Sequence, residues 1–273
     1  MPLFGKKVDV QIEVDRTEVV AGEDVRVWAE MGELDKKTQG ARIELGYRNT
    51  YKEDDTDSDG DRTTRTRTDD VVVATEQVQV GAGSSPGRVE AVFTVPPDAP
   101  GSAHKSVAWF VRAVVDRKLA RDANAESPLT VLAPLAPLAS WAETPPEPAS
   151  KCVMEITASS RTVKPGDTIT GRLTLSPNDE IKVRAVRVQL RRQRNDPDRN
   201  TDEDDSTRVP LSGELELVPG ASQTFDFSIG VPVDAPPSFR AKYNLQHWFL
   251  EGVLDVKRWS DPTTRLEVVV HTA

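Results

Sequence analysis

Apolar and polar residues alternate along much of this chain. Val8, Val10, Ile12 and Val14 interleave with Asp9, Gln11 and Glu13, the period of two that a half-buried strand requires. Val25 and Val27 follow a turn at Ala21-Gly22-Glu23. Ile43, Leu45 and Tyr47 continue the alternation, as do Val78 with Val80, and Val89, Ala91, Phe93 and Val95. Gly81-Ala82-Gly83, Ser85-Pro86-Gly87 and Pro96-Pro97-Asp98-Ala99-Pro100 punctuate these runs as turns. Short strands separated by regular turns predict an all-β antiparallel sandwich or barrel. The one helical turn expected is at Lys118–Asn124.

Ala133-Pro134-Leu135-Ala136-Pro137 through Pro145-Pro146-Glu147-Pro148 breaks the alternation, as an extended, semi-rigid linker does. After it the pattern begins again. Cys152, Met154, Ile156 and Ala158 repeat the opening alternation, and Lys164-Pro165-Gly166-Asp167 stands where Val20-Ala21-Gly22-Glu23 stood. Val186, Val188 and Leu190 answer Ile43, Leu45 and Tyr47. Val231-Pro232-Val233-Asp234-Ala235-Pro236 answers Val95–Pro100, and the run from Trp248 to Lys257 answers that from Trp109 to Lys118. Blocks matched in the same order mark duplication of a whole domain, because solenoid repeats are far shorter. The predicted domains are residues 1–132 and 151–273, joined by a linker at 133–150.

Composition narrows the function. The 273 residues fit about two domains at roughly 150 residues each. A net charge of −9 disfavours nucleic acid, which needs clustered cations to release counterions. One cysteine, Cys152, and three histidines leave no internal disulfide and no multi-cysteine metal site. No run of 18 apolar residues occurs to predict a membrane helix. Met1–Lys7 lacks the apolar core of a secretion signal, so a cytoplasmic location is expected. Nucleophile-elbow, P-loop and dinucleotide-binding motifs are absent from the sequence, which predicts no enzyme.

On its turn Pro165-Gly166-Asp167 and its closing stretch Trp248–Lys257, with weaker counterparts in the first half, the chain resembles the arrestin-fold family. Leu254-Asp255-Val256-Lys257, Asp261-Pro262 and Leu266-Glu267-Val268 are similar to the bacterial sporulation-control branch of arrestin-like proteins. The resemblance implies two seven-stranded, immunoglobulin-type β-sandwiches. It also implies scaffolding and regulation, in sporulation or developmental control, rather than catalysis. The ubiquitin-ligase docking motif of eukaryotic relatives does not carry over, since Pro236-Pro237-Ser238-Phe239 lacks its tyrosine.

Three groups of residues are candidates for chemistry. Asp55, Asp57 and Asp59, followed by Gly60, match the first half of a calcium loop, but position twelve is Thr66 instead of a bidentate glutamate. The alternatives there are weak calcium binding and a solvated acidic tip on a long hairpin; no other cofactor is expected. Arg184, Arg187, Arg191, Arg192 and Arg194 fall in one strand. Arg187 and Arg191 lie opposite the apolar Val186, Val188 and Leu190, where exposed guanidinium groups would read carboxylate or phosphate on a protein partner or simply form ion pairs. Trp109 with Phe110 and Trp248 with Phe249 are expected as core or interface aromatics. Trp141 would either pin the linker or anchor a partner. His104, His247 and His271 are expected as ordinary histidines, with His271 in a frayed terminus, and Cys152 as a small buried hydrophobe. The identity of the partner and the oligomeric state are left open by the sequence.

Overall fold

A computed structural model of the chain describes residues 8–56, 61–81, 83–119, 121–132, 151–197, 199–200, 204–257 and 261–271. The linker at 133–150, Trp141 with it, lies outside the described residues, as do Asp57 and Asp59. The chain divides into two compact units, residues 1–134 with 241–243, and residues 135–240 with 244–273. Every regular element among the described residues is a strand.

The first unit carries β1 (Val10–Val14), β2 (Glu18–Val20), β3 (Asp24–Met31), β4 (Thr38–Thr56), β5 (Arg62–Val78), β6 (Gly87–Thr94), β7 (Val107–Arg117) and β8 (Ala123–Leu132). β1, β3 and β6 form a three-stranded sheet, and the second sheet has the order β2-β8-β7-β4-β5. Their inner faces supply one core. Val25, Val27, Ala29 and Met31 come from one sheet, and Ile43, Leu45, Val111, Ala113 and Val131 from the other, all at 1% exposure or less. Burial on alternate residues is what two facing sheets impose.

The second unit carries β9 (Cys152–Ala158), β10 (Thr162–Val163), β11 (Thr168–Pro177), β12 (Ile181–Asp196), β13 (Arg199–Asn200), β14 (Asp204–Ser212), β15 (Leu215–Leu217), β16 (Gln223–Gly230), β17 (Phe239–Arg240), β18 (Leu245–Val256) and β19 (Thr263–Val270). Its three-stranded sheet has the order β16-β11-β9, and the larger sheet runs β10-β19-β18-β12, extended by β13, β14, β15 and β17. Ile169, Leu173, Leu175 and Ile229 meet Val186, Val188, Leu190, Leu250 and Val268 in the core. Short ladders such as β13 and β17 raise the strand count above the seven that the family resemblance implied.

The duplication reaches individual hydrogen bonds. A short parallel ladder closes each larger sheet, Glu18–Val20 with Thr130–Leu132 and Thr162–Val163 with Val269–Val270. Gly22 and Gly166 have φ of 96° and 88°, a region glycine enters without steric cost. Their amides donate to Val95 O and Val231 O at 2.8 and 3.1 Å. Ser102 and Ser238 each exchange bonds with the strand alongside, Val131 and Val270.

Three local expectations need correction. The helical turn expected at Lys118–Asn124 is not seen in its described residues: Lys118 and Leu119 form a turn after β7, with Leu119 at φ 54°, and β8 begins at Ala123. Val80 is not in a strand: β5 ends at Val78 and runs back to Arg62 through polar sequence. His271 is not frayed; it is 4% exposed, and its amide bonds Val163 O at 2.9 Å.

Candidate interaction surface

A strand in a sandwich turns alternate residues away from the core, and the strong apolar runs of β7 and β18 are interrupted on that outward side by Arg112 and Glu251. Such interruptions gather into an ion cluster on each larger sheet.

In the second unit Glu251 of β18 is opposite Gln189 of β12 and Arg265 of β19. The Glu251 carboxylate, 1% exposed, accepts from Arg265 Nε at 2.8 Å, from Arg191 Nη1 at 3.1 Å and from the Gln189 amide. Burial alone pushes the Glu251 pKa up, but the hydrogen bonds from Arg265, Gln189 and Arg191 outweigh it and hold the carboxyl below its ordinary range. Beside it Phe249 stacks on His247, ring centroids 5.8 Å apart, under the Arg265 guanidinium. His247 Nδ1 in turn meets Glu267 Oε1 at 2.5 Å.

In the first unit Glu44 of β4 is opposite Arg112 of β7, which is opposite Glu126 of β8. Glu44, 4% exposed, accepts from Arg42 Nε at 2.5 Å and from Arg112 Nη2 at 2.8 Å. Here too burial pushes the carboxyl pKa up, and hydrogen bonds from Arg42 and Arg112 bring it below the ordinary value. Arg112 also holds Asp70 at 2.7 Å, and Arg48 holds Glu126 at 2.5 and 2.7 Å. Phe110 sits beneath them, with Arg48 and Arg112 over its ring at 5.1 and 4.8 Å. Gly46 makes room for it, since a Cβ there would lie 3.0 Å from Phe110 Cζ and 2.6 Å from Val71 O.

The two clusters occupy matching places with the charges rearranged. Across three adjacent strands, Glu44, Arg112 and Glu126 of the first unit become Gln189, Glu251 and Arg265 of the second. The duplicated scaffold thus presents two electrostatically different faces.

Arg187 and Arg191 sit on the outward face of β12, as the alternation requires, but they are half-buried rather than exposed, whereas Arg184 is exposed. Arg191, with 21% of its side chain exposed, is held by Glu251. Arg187 donates to the neutral Gln189 Oε1 at 3.3 Å, so of the two it is the cation without a carboxylate partner among the described residues. Arg184 bonds Asp255 and Arg194 bonds Asp196. Of the candidate calcium ligands, Asp55 is described, and it pairs with Arg65 at 2.9 Å across the β4–β5 hairpin. Among the described residues no group of three or more potential ligands could hold a metal ion.

Trp109 and Trp248 are core residues. Trp109 and Trp248 are both 2% exposed, while Phe110 and Phe249 face outward beneath arginines. Cys152 is buried at the start of β9, and burial pushes its thiol pKa up. His104 is exposed. Glu44, Arg112, Glu251 and Arg265 were missed in the sequence. Their signal is a charge on an otherwise apolar strand or beside it, which marks a paired ion.

Residues 153–273 match the family model for Spo0M, described as SpoOM protein. That stretch of the chain is similar to Spo0M. That match contains the stretch Leu254–Val268 on which the sporulation-control resemblance rests. A solved structure is also similar, the crystal structure of Spo0M, sporulation control protein, from Bacillus subtilis, at 16% identity and a TM-score of 0.39. The similarity covers 46% of this chain and 51% of the Bacillus subtilis chain. No curated protein matches in sequence. Among the described residues, no helix is long and apolar enough to cross a membrane.

Proposed function

We propose that this protein is a non-enzymatic cytoplasmic regulator, acting in sporulation or developmental control by binding protein partners on its sandwich faces. The observation that carries this reading is the match of residues 153–273 to the Spo0M family model. The outward face of the second unit's larger sheet is the docking surface. Its cluster around Glu251 fixes Arg191 and Arg265 in place, which lowers the entropy lost when a rigid polar face meets a partner. Arg187, bonded to a neutral amide, presents donors to a carboxylate or phosphate on that partner.

Deleting the gene in the native host tests the reading. The expected result is altered timing or yield of sporulation or of the corresponding developmental stage, restored by the full chain and not by a chain carrying Arg187→Glu. Unchanged development in the deletion strain would contradict the regulatory role. Full rescue by the Arg187→Glu chain would contradict the assigned face.

A further inference from the structure

β5 has 17 residues and pairs only with β4 among the described residues. It closes one side of its sheet, while the opposite edge, β2, is three residues long. A long edge strand offers a row of backbone donors and acceptors to another strand, and proteins commonly blunt such edges with Pro, Lys or very short strands. The β5 sequence RTTRTRTDDVVVATEQV contains no Pro, Gly or Lys.

Its charges are sorted along the strand. Arg62, Arg65 and Arg67 occupy the first part with no acid, and Asp69, Asp70 and Glu76 the second with no base. Laid antiparallel on itself, the strand sets its basic part against its acidic part. We infer that two copies of this chain pair edge to edge through β5, antiparallel about a two-fold axis at Thr68, with Arg67 of each copy facing the partner's Asp69.

Symmetry fixes that register. A two-fold axis perpendicular to the sheet keeps side chains on their own face, so one residue of the strand must oppose its own copy. An axis at Arg67 opposes two arginines and one at Asp69 opposes two aspartates, and like charges directly opposite destabilise a ladder. An axis at Thr68 gives Arg67–Asp69 twice and Thr66–Asp70 twice. Residues 64–72 then pair, ending before Val73, the extra residue where the β4–β5 register shifts between Leu45 and Gly46. Such a bulge increases local twist and ends regular pairing.

The side chains are placed for this contact. Arg67 is 51% exposed and Arg65 62%, each already holding one carboxylate of β4, Glu53 and Asp55. A guanidinium carries five donors, so further acceptors can be taken on. Asp69 takes the Tyr51 hydroxyl on Oδ2 at 2.7 Å, and a carboxylate has capacity for further donors. The pairing joins two five-stranded sheets into one, with no apolar patch required.

Sedimentation equilibrium of the full chain tests the inference. The expected mass is twice the 30.0 kDa of one chain. Arg67→Glu or Asp69→Lys alone sets like charges opposite on both sides of the axis and weakens the dimer on the order of tenfold or more. An equal mixture of the two variants restores complementary pairs on both sides. The acid introduced at position 67 faces the base introduced at position 69, the native Asp69 faces the partner's Arg67, and the mixture sediments as a heterodimer. Arg172→Glu, at an exposed position of β11 in the second unit, leaves the dimer intact. A monomeric wild-type chain, single variants that dimerise as well as the wild type, or variants that stay monomeric when mixed would each overturn it.

Discussion

The indole Nε1 of Trp248 donates to the backbone carbonyl of Pro236 at 2.8 Å, and Trp109 repeats that bond to Pro100 at 2.8 Å. In both units the tryptophan opens the core run of a central strand, and the acceptor lies in the Val-Pro-x-Asp-Ala-Pro turn. The bond ties the turn to the core and satisfies a polar group that burial would otherwise leave unpaired.

Trp248→Phe keeps an aromatic ring in the core but leaves the Pro236 carbonyl without its donor. The expected loss is about 1–3 kcal/mol in the second unit's unfolding, and Trp248→Ala adds a cavity for about 3–5 kcal/mol in all. Denaturant unfolding followed by the remaining tryptophans measures it. A Trp248→Phe chain as stable as the wild type would show that the bond contributes nothing.

Glu251 is a buried charge whose partners converge from two neighbouring strands. Arg265→Ala leaves that charge undercompensated and should destabilise the second unit by about 3 kcal/mol. Replacing Glu251 and Arg265 together with apolar residues of similar size should cost less than the single change, because no buried carboxylate is left undercompensated and Arg191, with 21% of its side chain exposed, still reaches water. A double-mutant cycle in urea reads the difference.

Both buried glutamates make the fold acid-sensitive. Glu44 and Glu251 titrate below their ordinary range in the folded chain, whereas an unfolded Glu titrates near about 4.3. The unfolded chain therefore binds more protons as pH falls through this window. The stability from the two clusters is in place above that value and is lost as pH drops through the lower folded-state pKa values. Thermal melts across the acid range should show a steep loss in the wild type and a shallower one in a Glu44→Gln/Glu251→Gln chain, which starts from lower stability at neutral pH.

Tyr51 offers a spectroscopic check on the β4–β5 hairpin. Its bond to Asp69, reinforced by burial, pushes the phenol pKa up to about 12. The Asp69→Asn chain should bring the phenol back toward about 10. Because the folded-state pKa is the raised one, the stability it contributes is present below about 10 and fades as pH rises toward the folded value. Tyrosinate absorbance during an alkaline titration follows it, and an unshifted Tyr51 in the wild type would contradict the bond.

The core strands were legible because each turns one face to the other sheet. Val25 and Val27, Ile43 and Leu45, and Val186, Val188 and Leu190 alternate in sequence and are fully buried in the fold. The repeat was legible for a related reason: the turns at Gly22 and Gly166 and the Trp–Pro bonds need particular residues at fixed separations. β5 was not, because an edge strand of Thr, Arg and Asp draws its stability from pairing with β4 rather than from an apolar face. The clusters at Glu44 and Glu251 were also hidden. Their partners are close only through register, as with Glu44 and Arg112, 68 residues apart in sequence. Arg187 and Arg191 were placed on the right face, yet the carboxylate that takes up Arg191 comes from a strand 60 residues further on.

Site-specific photo-crosslinking in the native host tests most directly whether the outward face of the second unit is where a partner docks. A photoreactive residue at position 187 on β12 is compared with one at position 172, exposed on the three-stranded sheet. The predicted result is a discrete, stoichiometric protein adduct from position 187 in sporulating or developing cells and none from position 172. No adduct from position 187 in any growth phase, or the same adduct from both positions, would contradict partner binding on this face.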